Sequence, residues 1–308
     1  KFNFRKDSIN KLSSKLNLSF LKKNKISGRG FLLHEFNSKI DKNFRLIDYN
    51  YKSSGKILES RIILKDIFKS SFIEKPIKKI LISKTNLEIN LNKNRKNFLI
   101  LDGFYNLEDI ENKKFKITYN LDKKNSKYLI DFDLSKNIFL EVINFKTNYK
   151  NKSNITSEFN LTDKNIIFKN INFTEGKNSI SIEDLKLNKK NKLESISNIS
   201  VLTYNKKKQN NNFKIILKKK ISITGQKYDA SYLLKQLSNS NKENILKNFT
   251  KDIEINLNNL ITKSEVTLNN FRLIGSINKG KFEKLSAKSE FSKKKYLDIS
   301  LKKNKNNK

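Results

Sequence analysis

The chain has 308 residues, 36% hydrophobic and 10% aromatic, with 66 Lys and Arg against 30 Asp and Glu for a formal net charge of +36. It has no Cys and one His, which excludes disulfides, thiolate nucleophiles and Cys-bound metals and leaves nothing on which to build a His-rich site or a second triad histidine. The cationic excess suits an anionic partner such as nucleic acid or a membrane surface, but the lysines occur in almost every segment and mark no single face. Abundant Lys, Asn, Ile and Phe beside scarce Ala, Val, Gly and Pro is the pattern of A+T-rich coding.

No Met is present and the first residue is Lys, which reads as a piece of a longer or processed product. No apolar run reaches the roughly 18 residues that a membrane helix needs, and no signal peptide is visible.

In the first 80 residues "KFNFR" alternates, and "INKLSSKLNLSFLKK" fits strand or helix. "SGRGFLLHEF" and "FRLIDYNY" read as strands. "ILESRIILKDIFKSSF" reads as a helix, because Ile57, Leu58, Ile62 and Phe68 recur irregularly. Pro76, the only proline, marks a break. The expected division is an N-terminal segment 1–79, a β-segment 80–301 and a polar tail 302–308.

From Ile80 the chain alternates apolar and polar residues in short runs separated by polar turns. "NLEINLN" is followed by "FKITYNL", "YLIDFDL", "IFLEVINFKTNY", "ITSEFNL", "NIIFKNINF", "NSISIEDLKL", "ISNISVLTY" and "FKIILKKKISIT". Gly176 in "TEGKN" marks a turn, and Gly275 and Gly280 bracket a hairpin in "GSINKG". No crossover-length helix separates these strands, so an antiparallel meander is expected rather than a parallel α/β sheet.

Between Gly225 and Lys251 the period changes. Asp229 is placed to cap a short helix carrying Leu233, Leu234 and Leu237, laid as a cover on the apolar face. "NKENILKNF" offers a second helix. Strands then resume in "DIEINLNNLI", "SEVTLNNFRLIGSI", "GKFEKLSAKSEF" and "YLDISLK".

Chemistry-bearing groups are sparse. His34 reads as structural. Asp131 and Asp133, and Glu183 and Asp184, read as a solvated face. "SGRG" is too short for a phosphate cradle. No catalytic residue, metal site or cofactor is expected, and no specific nucleic-acid binding, because the aromatics of "KKFKITY" share a face with Ile and Leu.

What remains is the apolar face, with Ile117, Tyr119, Ile130, Phe132, Leu134, Ile180, Ile182, Ile215 and Leu217 expected inward. On the residues alone it could hold an apolar ligand such as an acyl chain, or close as a sandwich or barrel core in a scaffold module. A basic binder of nucleic acid or anionic membrane is the further alternative.

"KISITGQKYDASYLLKQL", then "NKENILKNF", then "DIEINLNNLITKSEVTLNNFRLIGSINKGKFEKLSAKSEF" resembles the AsmA-like superfamily, specifically YhdP-type bacterial envelope proteins. Gly225, Asp229, Leu233, Leu234, the strand from Asp252 to Leu257, and Leu268 to Gly280 carry the resemblance. It extends in pattern over about Ile80 to Leu301 and leaves the first 80 residues unaligned. It implies a mainly β fold, a long curved antiparallel sheet forming a taco-like groove, with one or two short helices near 229–250. It also implies a non-enzymatic, inner-membrane-anchored periplasmic protein that moves phospholipid acyl chains between inner and outer membranes.

Overall fold

Alternation of apolar and polar residues suits a strand with one buried face, and in a computed structural model the chain takes that solution almost throughout. The structure describes residues 2–3, 24–70, 72–73, 75–93, 97–121, 126–148, 151–162, 164–205, 207–232, 250–262, 266–279, 281–292 and 295–302. The fold is mainly β, as the sequence pattern implied, and the sheet is mixed in strand direction and not closed, a point the residues alone left open. Contacts divide it into two units. The first holds Lys1–Ile138, Asn148–Ile171 and Lys186–Leu193, and the second Phe139–Thr147, Asn172–Leu185 and Glu194–Lys308.

In the first unit, β1 (Phe2–Asn3), β2 (Lys25–Ile40), β3 (Leu46–Phe68), β4 (Ile77–Asn92), β5 (Asn97–Leu107), β6 (Lys113–Leu121) and β7 (Ser126–Asp133) each pair antiparallel with the next. The chain leaves this unit for β8 (Phe139–Leu140) and β9 (Phe145–Lys146), then returns as β10 (Ser153–Leu161), which pairs antiparallel with β7. β11 (Asn165–Glu175) and β12 (Asn178–Asn188) contribute residues to both units, and the short β13 (Leu193–Ser195) follows.

In the second unit, β12 pairs with β14 (Asn198–Asn205), then come β15 (Lys208–Leu217), β16 (Ile221–Asp229), β17 (Lys251–Ile261), β18 (Thr267–Asn278), β19 (Lys281–Ser292) and β20 (Lys295–Lys302).

Several expectations are corrected. "ILESRIILKDIFKSSF" is not a helix: residues 57–68 lie in β3. Leu58 is a bulge, unpaired between Ile57, opposite Gly30, and Glu59, opposite Arg29. The extra residue shifts the buried phase from Ser53 and Ile57 to Ser60, Ile62 and Leu64. That phase change is why the apolar spacing looked irregular.

"IFLEVINFKTNY" is not a strand but a strap. Its parts are β8, a 3₁₀ turn over Glu141–Ile143, Asn144 at φ 46, and β9. "FKIILKKKISIT" is two strands broken at residues 218–220. Gly275 lies inside β18 rather than in the hairpin turn, where Lys279 takes the positive φ of 46. A Cβ on Gly275 would stand 2.7 Å from the Lys284 carbonyl oxygen, so the glycine serves close approach.

The pairing of β16 with β17 is parallel, whereas an antiparallel meander was expected throughout. Parallel neighbours need a crossover of a dozen or more residues, and residues 230–250 supply it. The change of period in that stretch therefore marks a crossover. Asp229 is the last residue of β16, and its carboxylate accepts the Ser231 N–H at 3.2 Å, with Ala230 to Tyr232 turning away. The helix and cover expected at Leu233, Leu234 and Leu237, and the one in "NKENILKNF", lie outside the described residues.

Candidate functional site: an apolar face and its strap

Strand pairing carries residues of one face from strand to strand in rows. In the first unit one row runs Leu32, Gly55, Leu87, Leu101, Ile117, Ile130. The next runs His34, Ser53, Ile89, Leu99, Tyr119, Tyr128, Phe159. A third runs Gly103, Phe115, Phe132, Ile155. The middle row is the best packed: Tyr119 and Tyr128 stack at 4.6 Å and Tyr128 and Phe159 at 4.9 Å. Tyr119 is buried and its hydroxyl bonds the Ser126 hydroxyl at 3.1 Å. Burial, reinforced by Tyr119, pushes the Tyr128 phenol well above the usual tyrosine range.

Tyr105 donates to the Asp133 carbonyl at 2.5 Å and sets its ring edge-on to Phe115 and Phe132. Its pKa is raised, chiefly by burial. A second apolar cluster, Ile62, Leu64 and Ile77, packs with Ile26, Ile73, Ile80, Ile82 and Leu107.

In the second unit the rows are Ile180, Val201, Phe213, Gly225, Leu257, Phe271 and Ile182, Ile199, Ile215, Ile223, Ile255, Leu273, Ala287, Ile299. A third joins Leu217, Ile221, Ile253, Gly275, Leu285 and Leu301.

The strap Phe139–Thr147 is fastened to β15 and β16 of this unit by side chains that bond its backbone carbonyls. Tyr228 donates to the Val142 carbonyl at 2.9 Å, Asn211 to that of Ile143 at 2.7 Å and Asn210 to that of Asn144 at 3.2 Å. Asn211 is 0% exposed, donates also to Thr203 Oγ1 at 2.8 Å and accepts the Asp229 N–H at 2.8 Å. Asp229 accepts Asn144 Nδ2 at 2.9 Å. Phe145 then packs edge-on against Phe173 at 5.8 Å. Buried polar groups with every partner in place specify one arrangement, so the strap is pinned.

The sequence-derived lining residues fall as follows. Ile117, Tyr119, Ile130 and Phe132 lie in the first unit's rows, and Leu134 just past β7, its N–H on the Ser153 carbonyl at 3.0 Å. Ile180, Ile182, Ile215 and Leu217 lie in the second unit's rows. Tyr119 and Leu134 are buried and the other seven half-buried.

Sequence reasoning missed the strap and Lys136, which follows it in neither period nor charge pattern. Lys136 is 8% exposed, and its Nζ, like the Ser153 hydroxyl, has no hydrogen-bond partner among the described residues. Burial lowers its pKa, with the Glu108 carboxylate partly opposing the shift and the Lys75 charge adding to it.

The groups expected to be inert have ordinary surroundings. His34 Nδ1 lies 2.8 Å from the Tyr51 hydroxyl. Asp131 and Asp133 both accept Asn154 Nδ2, at 2.6 and 3.3 Å. Glu183 accepts Asn198 Nδ2 at 3.2 Å. Among the described residues no group of three or more His, Cys, Asp and Glu could hold a metal ion, and no helix is long and apolar enough to cross a membrane. No family model, curated protein or solved structure matches the chain.

Proposed function

We propose that the protein is a non-enzymatic carrier of phospholipid acyl chains, which lie along the apolar face of its open sheet. The observation that carries this reading is the run of Ile, Leu, Phe and Tyr in register from strand to strand within each unit, on a sheet that does not close. An acyl chain on such a face gains about 0.8 kcal/mol for each methylene removed from water, while its head group stays at the wet edge. Hydrocarbon needs no directional partner, so no single residue dominates and no cofactor is required. The resemblance to YhdP-type proteins supports setting this proposed activity in the periplasm of a bacterial envelope, between inner and outer membranes.

The test is photocrosslinking in bacterial cells from a photoreactive residue at Phe132 or Ile182. Phospholipid adducts are expected from both positions and not from the outward Asp131. Recovery of no lipid adduct from either inward position rejects the reading.

A further inference from the structure

Among the described residues, the hairpin joining β2 to β3 outreaches its neighbours. β2 and β3 stay paired as far as Ile40 opposite Leu46, but the described pairing of β4 with β3 ends at Asn50 opposite Asn92. On its other side the described pairing of β2 with β1 is at Arg29 and Gly30. The arms therefore run on for about 13 Å past the β4 strand end, at roughly 3.3 Å per residue.

This tip is apolar where water would favour polar residues. Phe44 is 85% exposed, and Phe36, Ile40, Leu46 and Ile47 are all exposed. Phe44 also holds φ at 56, a left-handed conformation in which glycine or asparagine is ordinary and a bulky aromatic is not. The turn is stapled around it. Asp41 Oδ1 accepts the Asn43 and Arg45 N–H groups, both at 2.8 Å, and the Asp41 and Arg45 backbones bond at 2.9 Å. The fold thus holds a strained aromatic outward in place of the residue that would fit without strain.

The charges around the tip are sorted by sign. Lys39, Lys42 and Arg45 are exposed. Lys93 Nζ lies on the Leu46 and Ile47 carbonyls at 3.2 and 2.6 Å, which brings a fourth cation to the hairpin. The two acids nearest the turn are engaged with backbone, Asp41 as above and Asp48 with the Tyr49 N–H at 2.9 Å, and Glu35 further back beside Phe36 accepts Asn37 Nδ2 at 3.0 Å. An aromatic and aliphatic tip collared by cations matches the boundary of an anionic bilayer, where rings enter the headgroup region and cations meet lipid phosphates.

We infer that the β2–β3 hairpin is a membrane-docking tip, inserting Phe44 and its aliphatic neighbours into an anionic lipid surface while Lys39, Lys42, Arg45 and Lys93 contact the phosphates. The inference stands on the hairpin's own residues and does not need the sheet face to carry lipid.

The chain contains no Trp, so Phe44→Trp makes a single reporter. With vesicles of phosphatidylcholine and phosphatidylglycerol, its emission shifts to the blue and is quenched by brominated acyl chains. Phe44→Gly suits the left-handed turn, so folding is retained by circular dichroism while vesicle partitioning falls about fivefold or more. Lys42→Glu with Arg45→Glu weakens binding and flattens its salt dependence, whereas Lys189→Glu with Lys190→Glu in the β12–β13 turn leaves it unchanged. Absence of vesicle binding overturns the inference, as does wild-type partitioning by Phe44→Gly. An equal loss from both charge pairs overturns it too, since that outcome means diffuse adhesion or a general polyanion site. If the tip fails and the Phe132 crosslinks to lipid survive, the carrier reading stands alone. The opposite pattern leaves the docking tip and removes the carrier.

Discussion

Lys136 shows what burial does to a single cation. An ammonium out of water without a hydrogen-bonding partner costs several kcal/mol unless it loses its proton or gains an anion. The charges that act on it are Glu108, whose own carboxyl is held low first by the Lys78 N–H and then by that of Lys79, and Lys75. Because the folded pKa of Lys136 lies below its unfolded value, the unfolded chain binds more protons between the two, and stability rises with pH across that window. The difference in urea midpoint between wild type and Lys136→Met should therefore narrow as pH rises toward the ordinary lysine range, starting from a more stable variant at neutral pH. A difference constant with pH would show the amine to be solvated. Nothing in the sequence marks this lysine, because 66 Lys and Arg hide one buried member; only the antiparallel return of β10 onto β7 draws residues 134–136 inside.

Elements show the same division between what local pattern encodes and what pairing decides. Gly103 lies opposite Phe115, and a Cβ there would meet Thr85 Oγ1 at 2.1 Å and Thr85 Cα at 2.5 Å. Gly103→Ala should cost about 1–3 kcal/mol by overpacking, read as a lower urea midpoint with an unchanged m-value, and Thr85→Ala, which removes the Oγ1 that stands closest, should recover part of it. Full stability in Gly103→Ala would mean that β4 and β5 separate freely at this point.

Strands such as β6 and β7 were legible because alternation survives in one sequence window, and Ile117 and Tyr119 fell on one face for the same reason. β3 was not legible past Leu58, since one bulged residue inverts the phase and imitates a helical spacing. The strap was illegible because its apolar residues, Ile143 and Phe145, alternate like a strand while its carbonyls are held by Asn210, Asn211 and Tyr228, more than 60 residues away, as Asn210 to Asn144 shows at 66. The parallel join of β16 to β17 was written only as a loss of period, a signal common to covers and crossovers.

At the scale of the molecule, the proposed carrier face would bind by area. Saturated fatty acids of increasing length should tighten by about fourfold per added methylene until the apolar run is filled, measured by displacement of a fluorescent acyl probe. A series flat from its shortest member would mean that the face is occupied by its own side chains. The net charge of +36 contributes long-range attraction to any anionic surface, but its spread over every segment gives no direction. The proposed docking tip would supply direction, since among the described residues Phe44 in the β2–β3 hairpin is the most exposed ring.

The order of pairing also has a consequence for how the chain is made. From β2 to β7 each strand docks on the one synthesised just before it. Growth of this kind closes only short loops and can keep pace with emergence from the ribosome. Two joins break the rhythm: β10 must find β7 across the strap, and β17 must find β16 in parallel across residues 230–250. During each interval the last strand laid down stands as a bare edge, its backbone donors and acceptors open to any passing strand. The waiting edges of β7 and β16 are thus the points at which a nascent chain is most exposed to pairing with the wrong molecule.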